Sequence, residues 1–393
     1  MTSPVTHAAP GKLLIAGEYA VLEPAQPAIV VAVDRFVTVR ASTPQQGDVV
    51  FDTDLLPHEV ALVRGRTGLR SPDPADTPHL TRALAHLVSA VEIVDRLRAE
   101  LALPPVPLRL TVRSGLHEHG VKIGLGSSGA VTVAAVAALT DFHSMPTTPE
   151  LRFRLALLAS IGVDAGPSGA DLAASTWGGW ISYRAPDRAL LLRRLRRDGP
   201  AETLRATWPE LTVRALPPPN TLSLHTGWSG SPASTSAHVH RLSHTAWRRG
   251  PAFRQFLARS ATCVDAAAHA LRHDDPGALL DAVRDAHRLL AGLDDATGLG
   301  IFTPRLTELC AAAQTCGGAA KPSGAGGGDC GIALLPDSAD PRALHARWAR
   351  AGITALPLRV TPAPRPRPGE PPLAGPAPGP SPHSLLPDRG ASR

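Results

Sequence analysis

The segment HGVKIGLGSSGAV, residues 119–131, constrains this chain more than any other. Its Gly124, Gly126 and Gly129, with two serines among them, run straight into AVTVAAVAALTDF, a small-residue apolar stretch that reads as a buried helix. Glycine lets backbone amides approach an anion closely, and the free amides and dipole of a helix N-terminus favour negative charge. A phosphate is the natural guest. Gly124, Gly126 and Gly129 also satisfy the G-x-G-x-x-G spacing of dinucleotide-binding folds, but that fingerprint needs a strand directly before it and an acid about twenty residues later. Here the polar SGLHEHG precedes the glycines and the nearest acid, Asp141, comes early; nor does Gly-Lys-Ser/Thr follow, as a P-loop requires. The local pattern leaves two readings open, a phosphate cradle or a tight strand-to-helix turn.

Composition sharpens the first reading. Of forty Lys plus Arg, only Lys12, Lys122 and Lys321 are lysine, and each sits beside a glycine-rich or small-residue stretch. A compact ammonium and a planar guanidinium are not interchangeable where a point charge must fit, so the surviving lysines become candidate site residues. At 393 residues the chain can hold two domains and a sizeable core. The four cysteines show neither C-x-x-C spacing nor a disulfide framework and read as buried small hydrophobes in a reducing compartment. No secretory signal pattern opens the chain, and no run of eighteen apolar residues occurs. The expectation is a cytoplasmic protein with no membrane partner. Positive charge is scattered and aromatics are only 4%, which speaks against a nucleic-acid partner.

Along the chain, PGKLLIAGEYAVL and the β-branched AIVVAVDRFVTVRA predict paired strands. Residues 41–77 read as a long surface loop with a short strand near VVF, and residues 78–101 as a helix packing on the opening sheet. LRLTVRS predicts a strand, residues 149–161 a helix, and GPSGADLAAS a helix start with Asp171 in its first turn. Asp171, set among small residues, is the sharpest carboxylate, although an acid there can also be a simple dipole partner. Residues 186–210 read as an edge strand plus linker, and PPPN at 217–220 as a domain boundary. Beyond it lie a strand, a hydroxyl-rich loop with a helix start at Ser234 or Thr235, and helices near 251–273, 276–297 and 303–316. The glycines of AAKPSGAGGGDCGIALL feed a strand instead of opening a helix, which points to close approach of a ligand or another loop. A helix at 341–351 and a strand near ITALPLRV follow, and from residue 362 a Pro-rich, aperiodic tail is expected to be disordered.

Three separated motifs, PGKLLIAGEYAVL, GLGSSGAV and KPSGAGGGDCGIAL, resemble the signature motifs of the GHMP small-molecule kinases in order and separation. TGWSGSPAST at 226–235, Lys122, PSGADLAAS and Asp329 make the chain most similar, within that superfamily, to the phosphomevalonate kinases. The resemblance implies an α+β two-domain fold. An N-terminal ribosomal-protein-S5-domain-2-like domain would span residues 1–216, and a ferredoxin-like domain 217–361, with the tail at 362–393 outside both. ATP and an acceptor, 5-phosphomevalonate, would share the cleft, in a monomer or homodimer. Lys12, Lys122 and Asp171 are the implied catalytic residues, and Gly124, Leu125, Gly126, Ser127, Ser128, Gly129 and Ala130 the implied ATP-binding residues. Acceptor contacts are implied at Lys12, Tyr19, Ser168, Gly169, Ser231, Ser234, Thr235, Lys321, Ser323 and Gly324. Mevalonate kinases tend to carry a glutamate eleven positions before the aspartate, where this chain has Ser160. Mg²⁺ would then rest on ATP phosphates, water and a hydroxyl of Ser127 or Ser128, a sparse set that magnesium tolerates. A mevalonate kinase, a dinucleotide-dependent oxidoreductase and a non-catalytic anion-binding protein of the same fold remain the alternatives.

Overall fold

The paired opening strands form as the β-branched pattern dictates. β1 (Val5–Ala16) and β2 (Pro27–Ser42) run antiparallel with Val5 opposite Ala41 and Ala16 opposite Ile29. The computed structural model describes residues 3–54, 56–73, 75–118 and 121–363, so His119, Gly120 and nearly all of the expected Pro-rich tail lie outside the described residues. The first half continues through β3 (Val49–Thr53), β4 (Val60–Gly65), β5 (Gly68–Arg70), α1 (Thr77–Ala83), α2 (Ala85–Glu100) and β6 (Leu108–Ser114). Next come the short ribbon of β7 (His117–Glu118) and β8 (Val121–Lys122), then α3 (Ser127–Phe142), α4 (Pro149–Val163), α5 (Ala170–Trp177), β9 (Trp180–Arg184), α6 (Arg188–Arg205) and β10 (Thr212–Leu216). The main sheet has the order β10-β9-β2-β6-β3-β4-β5, with β1 paired to β2 beside that path. β3 and β6 are parallel; the other pairs are antiparallel.

The small-residue segment after the glycines is α3, and twelve of its sixteen residues are buried, so alanine and valine are what let it lie flat on β1 and β2. Three expectations need correction. Residues 41–77 are not one long loop with a single short strand: besides β3 they hold β4 and β5, and β4 turns Val60 and Leu62 inward and Ala61 outward, a period of two carried on a strand too short to stand out. Residues 186–210 are not an edge strand plus linker but α6, capped by Asp187 and kinked at Gly199. Arg188, Leu191 and Leu195 recur on its buried side, while the intervening arginines face outward. α2 packs on α3 and α4 instead of directly on the opening sheet, because α3 already covers that face.

The second half contains β11 (Leu222–Trp228), α7 (Thr235–Ser243), α8 (Pro251–His273), α9 (Pro276–Thr297), α10 (Pro304–Thr315), β12 (Ala319–Pro322), β13 (Cys330–Pro336), α11 (Pro341–Arg350) and β14 (Thr354–Leu356). Its sheet, β12-β13-β11-β14, is antiparallel throughout. Beneath it Leu306, Leu309, Leu344 and Trp348 form a separate core, with the Trp348 indole donating to Leu309 O at 3.1 Å. Past β14 the chain crosses back to the first sheet, where Thr361 N donates to Ala32 O and Gly179 N to Thr361 O. All four cysteines are free thiols; burial pushes Cys263 up to about 11 and Cys310 up to about 12. Among the described residues, no helix is long and apolar enough to cross a membrane.

Candidate active site

β1 and the loop before α3 touch backbone to backbone. Lys12 N donates to Leu125 O at 2.9 Å. A Cβ on Gly11 would stand 2.9 Å from that same carbonyl and 2.8 Å from Leu116, and one on Gly126 would stand 2.9 Å from Lys12 Cγ. Gly126 also caps α3 with φ at +77°, a left-handed conformation that costs glycine little. The glycine motif therefore serves two ends. It brings β1 against the start of α3, and it leaves that helix terminus with bare amides and the free hydroxyls of Ser127 and Ser128.

These elements wall a cleft of about 560 Å³. Lys12, Lys122 and Asp171, which sequence reasoning singled out, all face it. Lys12 is only 9% exposed, yet neither it nor Lys122 nor Asp171 has an ion-pair or side-chain hydrogen-bond partner among the described residues. Two unpaired cations converging on a helix N-terminus form a site prepared for an anion. Asp171 occupies the first turn of α5, and a Cβ added to Gly129 would lie 2.5 Å from its Oδ2, so one helix start packs directly on the other.

The remaining expected residues divide. Gly124, Gly126, Ser127, Ser128, Tyr19, Ser168, Ser234, Thr235 and Gly324 line the cleft. Leu125 and Ala130 do not: both are buried as apolar anchors of the loop and helix. Gly129 and Gly169 lie beneath the wall, where they let Asp171 and Tyr183 come close. Ser231 is exposed and acts through its carbonyl, which accepts from Asp329 N at 2.8 Å. Ser323 is sealed against β1: its hydroxyl accepts from Leu14 N at 2.9 Å and donates to Leu14 O at 3.1 Å. Lys321 is corrected in the same way. It is fully buried, with its ammonium on the Glu18 carboxylate and on Pro322 O at 2.8 Å, so it joins the two halves and has no free charge for an acceptor. Tyr19, although on the cleft wall, gives its hydroxyl to Ala325 O, and burial raises its pKa so that it stays a donor.

Four titratable cleft residues stood outside the expected site set: His86 and Asp164, which sequence reasoning did not single out, Glu18, for which it left a functional role and a surface turn equally open, and Asp329, which it used only as a motif residue. His86 comes from α2, far from any motif; burial, reinforced by Lys122 and opposed by Asp171 and Asp164, lowers its pKa and favours the neutral imidazole. Asp164 lies one helical turn beyond Ser160, a spacing that could have revealed it. Asp329 holds the hydroxyl loop, accepting from Ala233 N at 3.0 Å on Oδ1, while its Cβ sits 2.4 Å from where a Cβ on Gly124 would be. Burial raises its pKa, against the Ala233 amide and the nearby Lys12, His238 and Lys122.

The pattern described as the GHMP kinases N terminal domain matches residues 86–179, and that described as GHMP kinases C terminal matches residues 267–354. A phosphomevalonate kinase of Streptomyces sp. strain CL190 is 50% identical over 367 residues, covering 91% of this chain and 97% of its own length. The chain belongs to the GHMP kinases. Its two-domain α+β fold is the GHMP kinase fold, as the three motifs implied. A mevalonate kinase of Thermococcus gammatolerans is more distant, at 27% over 339 residues, covering 85% of this chain and 90% of its own. Among solved structures, the Streptococcus pneumoniae phosphomevalonate kinase in complex with phosphomevalonate and AMPPNP superposes with a TM-score of 0.79 at 27% identity, over 91% of this chain and 99% of that one. A Listeria innocua protein superposes with a TM-score of 0.81 at 29% identity, over 91% and 98%.

Two outcomes follow from this geometry. Gly129→Ala should leave thermal stability intact, because alanine favours the helix by roughly 1 kcal/mol, but its methyl group should displace the Asp171 carboxylate and cut turnover at least about tenfold, as even a 1 Å misplacement can; melting and steady-state rates measured on one preparation check this. Lys321→Met should destabilise the fold by about 3–5 kcal/mol by leaving Glu18 buried and unpaired, and a second change, Glu18→Gln, should restore part of that loss in denaturant melts.

Proposed function

We propose that this GHMP kinase transfers the γ-phosphoryl group of ATP to the phosphate of 5-phosphomevalonate, giving 5-diphosphomevalonate and ADP in the mevalonate route to isoprenoids. The observation that carries the reading is the 50% identity, along essentially the whole chain, to the Streptomyces phosphomevalonate kinase. The unpaired lysines of the cleft support it.

Phosphoryl transfer asks the protein chiefly for alignment and charge stabilisation. A phosphate monoester has a second pKa of about 6, so the acceptor already carries a nucleophilic oxyanion at neutral pH and needs little help from a general base. The difficulty is repulsion: unit charges about 4 Å apart interact by roughly 4 kcal/mol at an effective dielectric near 20. Lys122, at the exposed end of β8, neutralises the phosphoryl group in flight. Lys12, held by the Leu125 carbonyl through its backbone and lying 3.8 Å from the Cβ position of Gly324, takes the acceptor phosphate between the two halves. Asp171 orients Lys12 and the acceptor, or removes a residual proton. The bare amides from Gly124 to the start of α3 cradle the ATP phosphates. Ser168, Ser234 and Thr235, which also line the cleft, hold the acceptor.

Among the described residues no group of three or more His, Cys, Asp or Glu could hold a metal ion by itself. The hydroxyls of Ser127 and Ser128, which line the cleft at the start of α3, fit instead a magnesium that arrives with ATP and keeps several waters. Bound there, it would neutralise charge on the β- and γ-phosphates. The division at residues 216 and 217 fits the two sheets, the first ending with β10 and the second beginning with β11. A cytoplasmic, reducing site of action fits the four free thiols.

Coupled ADP-release assays with two acceptors test the reading. Turnover with 5-phosphomevalonate and little with mevalonate is expected; the reverse preference would reassign the chain as a mevalonate kinase, and no ADP with either would leave an anion-binding protein. Lys122→Arg should lose most of its turnover despite keeping the charge, because the guanidinium is larger and planar. Near-wild-type turnover would remove Lys122 from the reaction.

A further inference from the structure

A second cavity, of about 330 Å³, shares no lining residue with the cleft and lies between the edge of the first sheet and α8. Its floor follows from strand register. β10 sets Thr212 opposite Arg184 and Arg214 opposite Ser182, so these four side chains share one face of the edge pair. Its roof is one stripe of α8, in which Asp265, Ala268, His269 and Arg272 recur at helical spacing and Ala268 leaves the room.

Charge makes the cavity unusual. Three guanidiniums and an imidazole face one carboxylate, and that carboxylate is spent on Arg184 at 3.5 Å. Arg184 is held further by donating to Ala25 O at 2.8 Å. Arg214 and Arg272 have no hydrogen-bond or ion-pair partner among the described residues. Some surface arginines elsewhere meet a carboxylate close in sequence, as Arg197 does with Asp198, Arg284 with Asp281 and Arg288 with Asp285, while others, such as Arg193 and Arg196, have no side-chain partner among the described residues. What sets Arg214 and Arg272 apart is that both face one concavity beside a third guanidinium. Like charges gathered in a concavity raise the local potential and concentrate anions. Guanidiniums present paired donors that match phosphate oxygens, and the Ser182 and Thr212 hydroxyls add further donors. The volume is at the low end for small-molecule sites, which suits a compact ligand.

The geometry points to a second anion site, outside the cleft, for a small and multiply charged phosphate anion of the diphosphate class. Bound there, the anion joins the edge of the first sheet to α8.

The test is isothermal titration calorimetry at low salt, with saturating AMPPNP occupying the nucleotide site. Inorganic pyrophosphate and methyl diphosphate are titrated separately into the wild-type chain and the Arg214→Ala/Arg272→Ala variant. Expected are one further site in the wild type, an affinity weakened by at least about tenfold in the variant through lost charge-assisted bonds, and a ligand-induced rise in Tm that the variant lacks, with kcat unchanged. Tighter binding of methyl diphosphate would identify an ester as the preferred form, and tighter pyrophosphate the free anion. Anion binding within the cleft persists equally in both proteins, so it cancels from the comparison. Equal affinity in the two proteins, or no heat in the wild type, overturns the site. Should the double variant lose cooperative melting, Arg214→Gln and Arg272→Gln singly carry the same comparison.

Discussion

The cleft depends on one close approach, the backbone of Gly11 and Lys12 against that of Leu125 and Gly126. The hydrogen bond from Lys12 N to Leu125 O orients the strand so that the lysine side chain runs past Gly126 toward the start of α3. A side chain on either glycine would separate the two backbones, and with them the cation and the helix terminus. The same economy recurs at Gly129, whose missing Cβ is the space the Asp171 carboxylate approaches. Anion binding and carboxylate placement are thus consequences of how tightly three segments can stack.

A second constraint holds the halves of the molecule in register. β1 and the turn that follows it are tied to the C-terminal glycine-rich motif by the two bonds between Ser323 and Leu14 and by the buried Lys321–Glu18 pair. Tyr19 adds a bond to Ala325, and the returning segment at Thr361 bonds to Ala32 on β2. Removing one partner of a buried ion pair is costly, whereas the intact pair adds little net stability. Its contribution here is geometric: it keeps the glycine-rich turn beside Lys12, so that the cleft is walled by both halves.

Much of this was legible in the chain, for physical reasons particular to each element. α3 announced itself because a helix buried on nearly every side must be small and apolar throughout. α8, α9 and α10 were readable because each carries one apolar stripe and opens with proline. α6 was hidden because its arginines and its Gly199–Pro200 step mimic a linker, and only packing on α2 and α4 reveals the apolar side. β4 and β5 were hidden because strands of three to six residues hold too few alternations to rise above a polar surround.

The site divides along the same line. Residue type singled out the three lysines and Asp171 as candidates, and the resemblance of the three motifs to those of the GHMP kinases implied that Lys12, Lys122 and Asp171 belong together with a glycine-rich helix start. Which side chains keep their charge free was decided only by tertiary structure. Lys321 has the same chemistry and the same glycine-rich surroundings as Lys12, yet it is spent on Glu18, about three hundred positions earlier in the chain. His86 enters the cleft from α2 and Asp164 from the residue that closes α4, and neither position belongs to a motif. Pairing and burial are properties of the packed chain, because they depend on neighbours that sequence distance does not name.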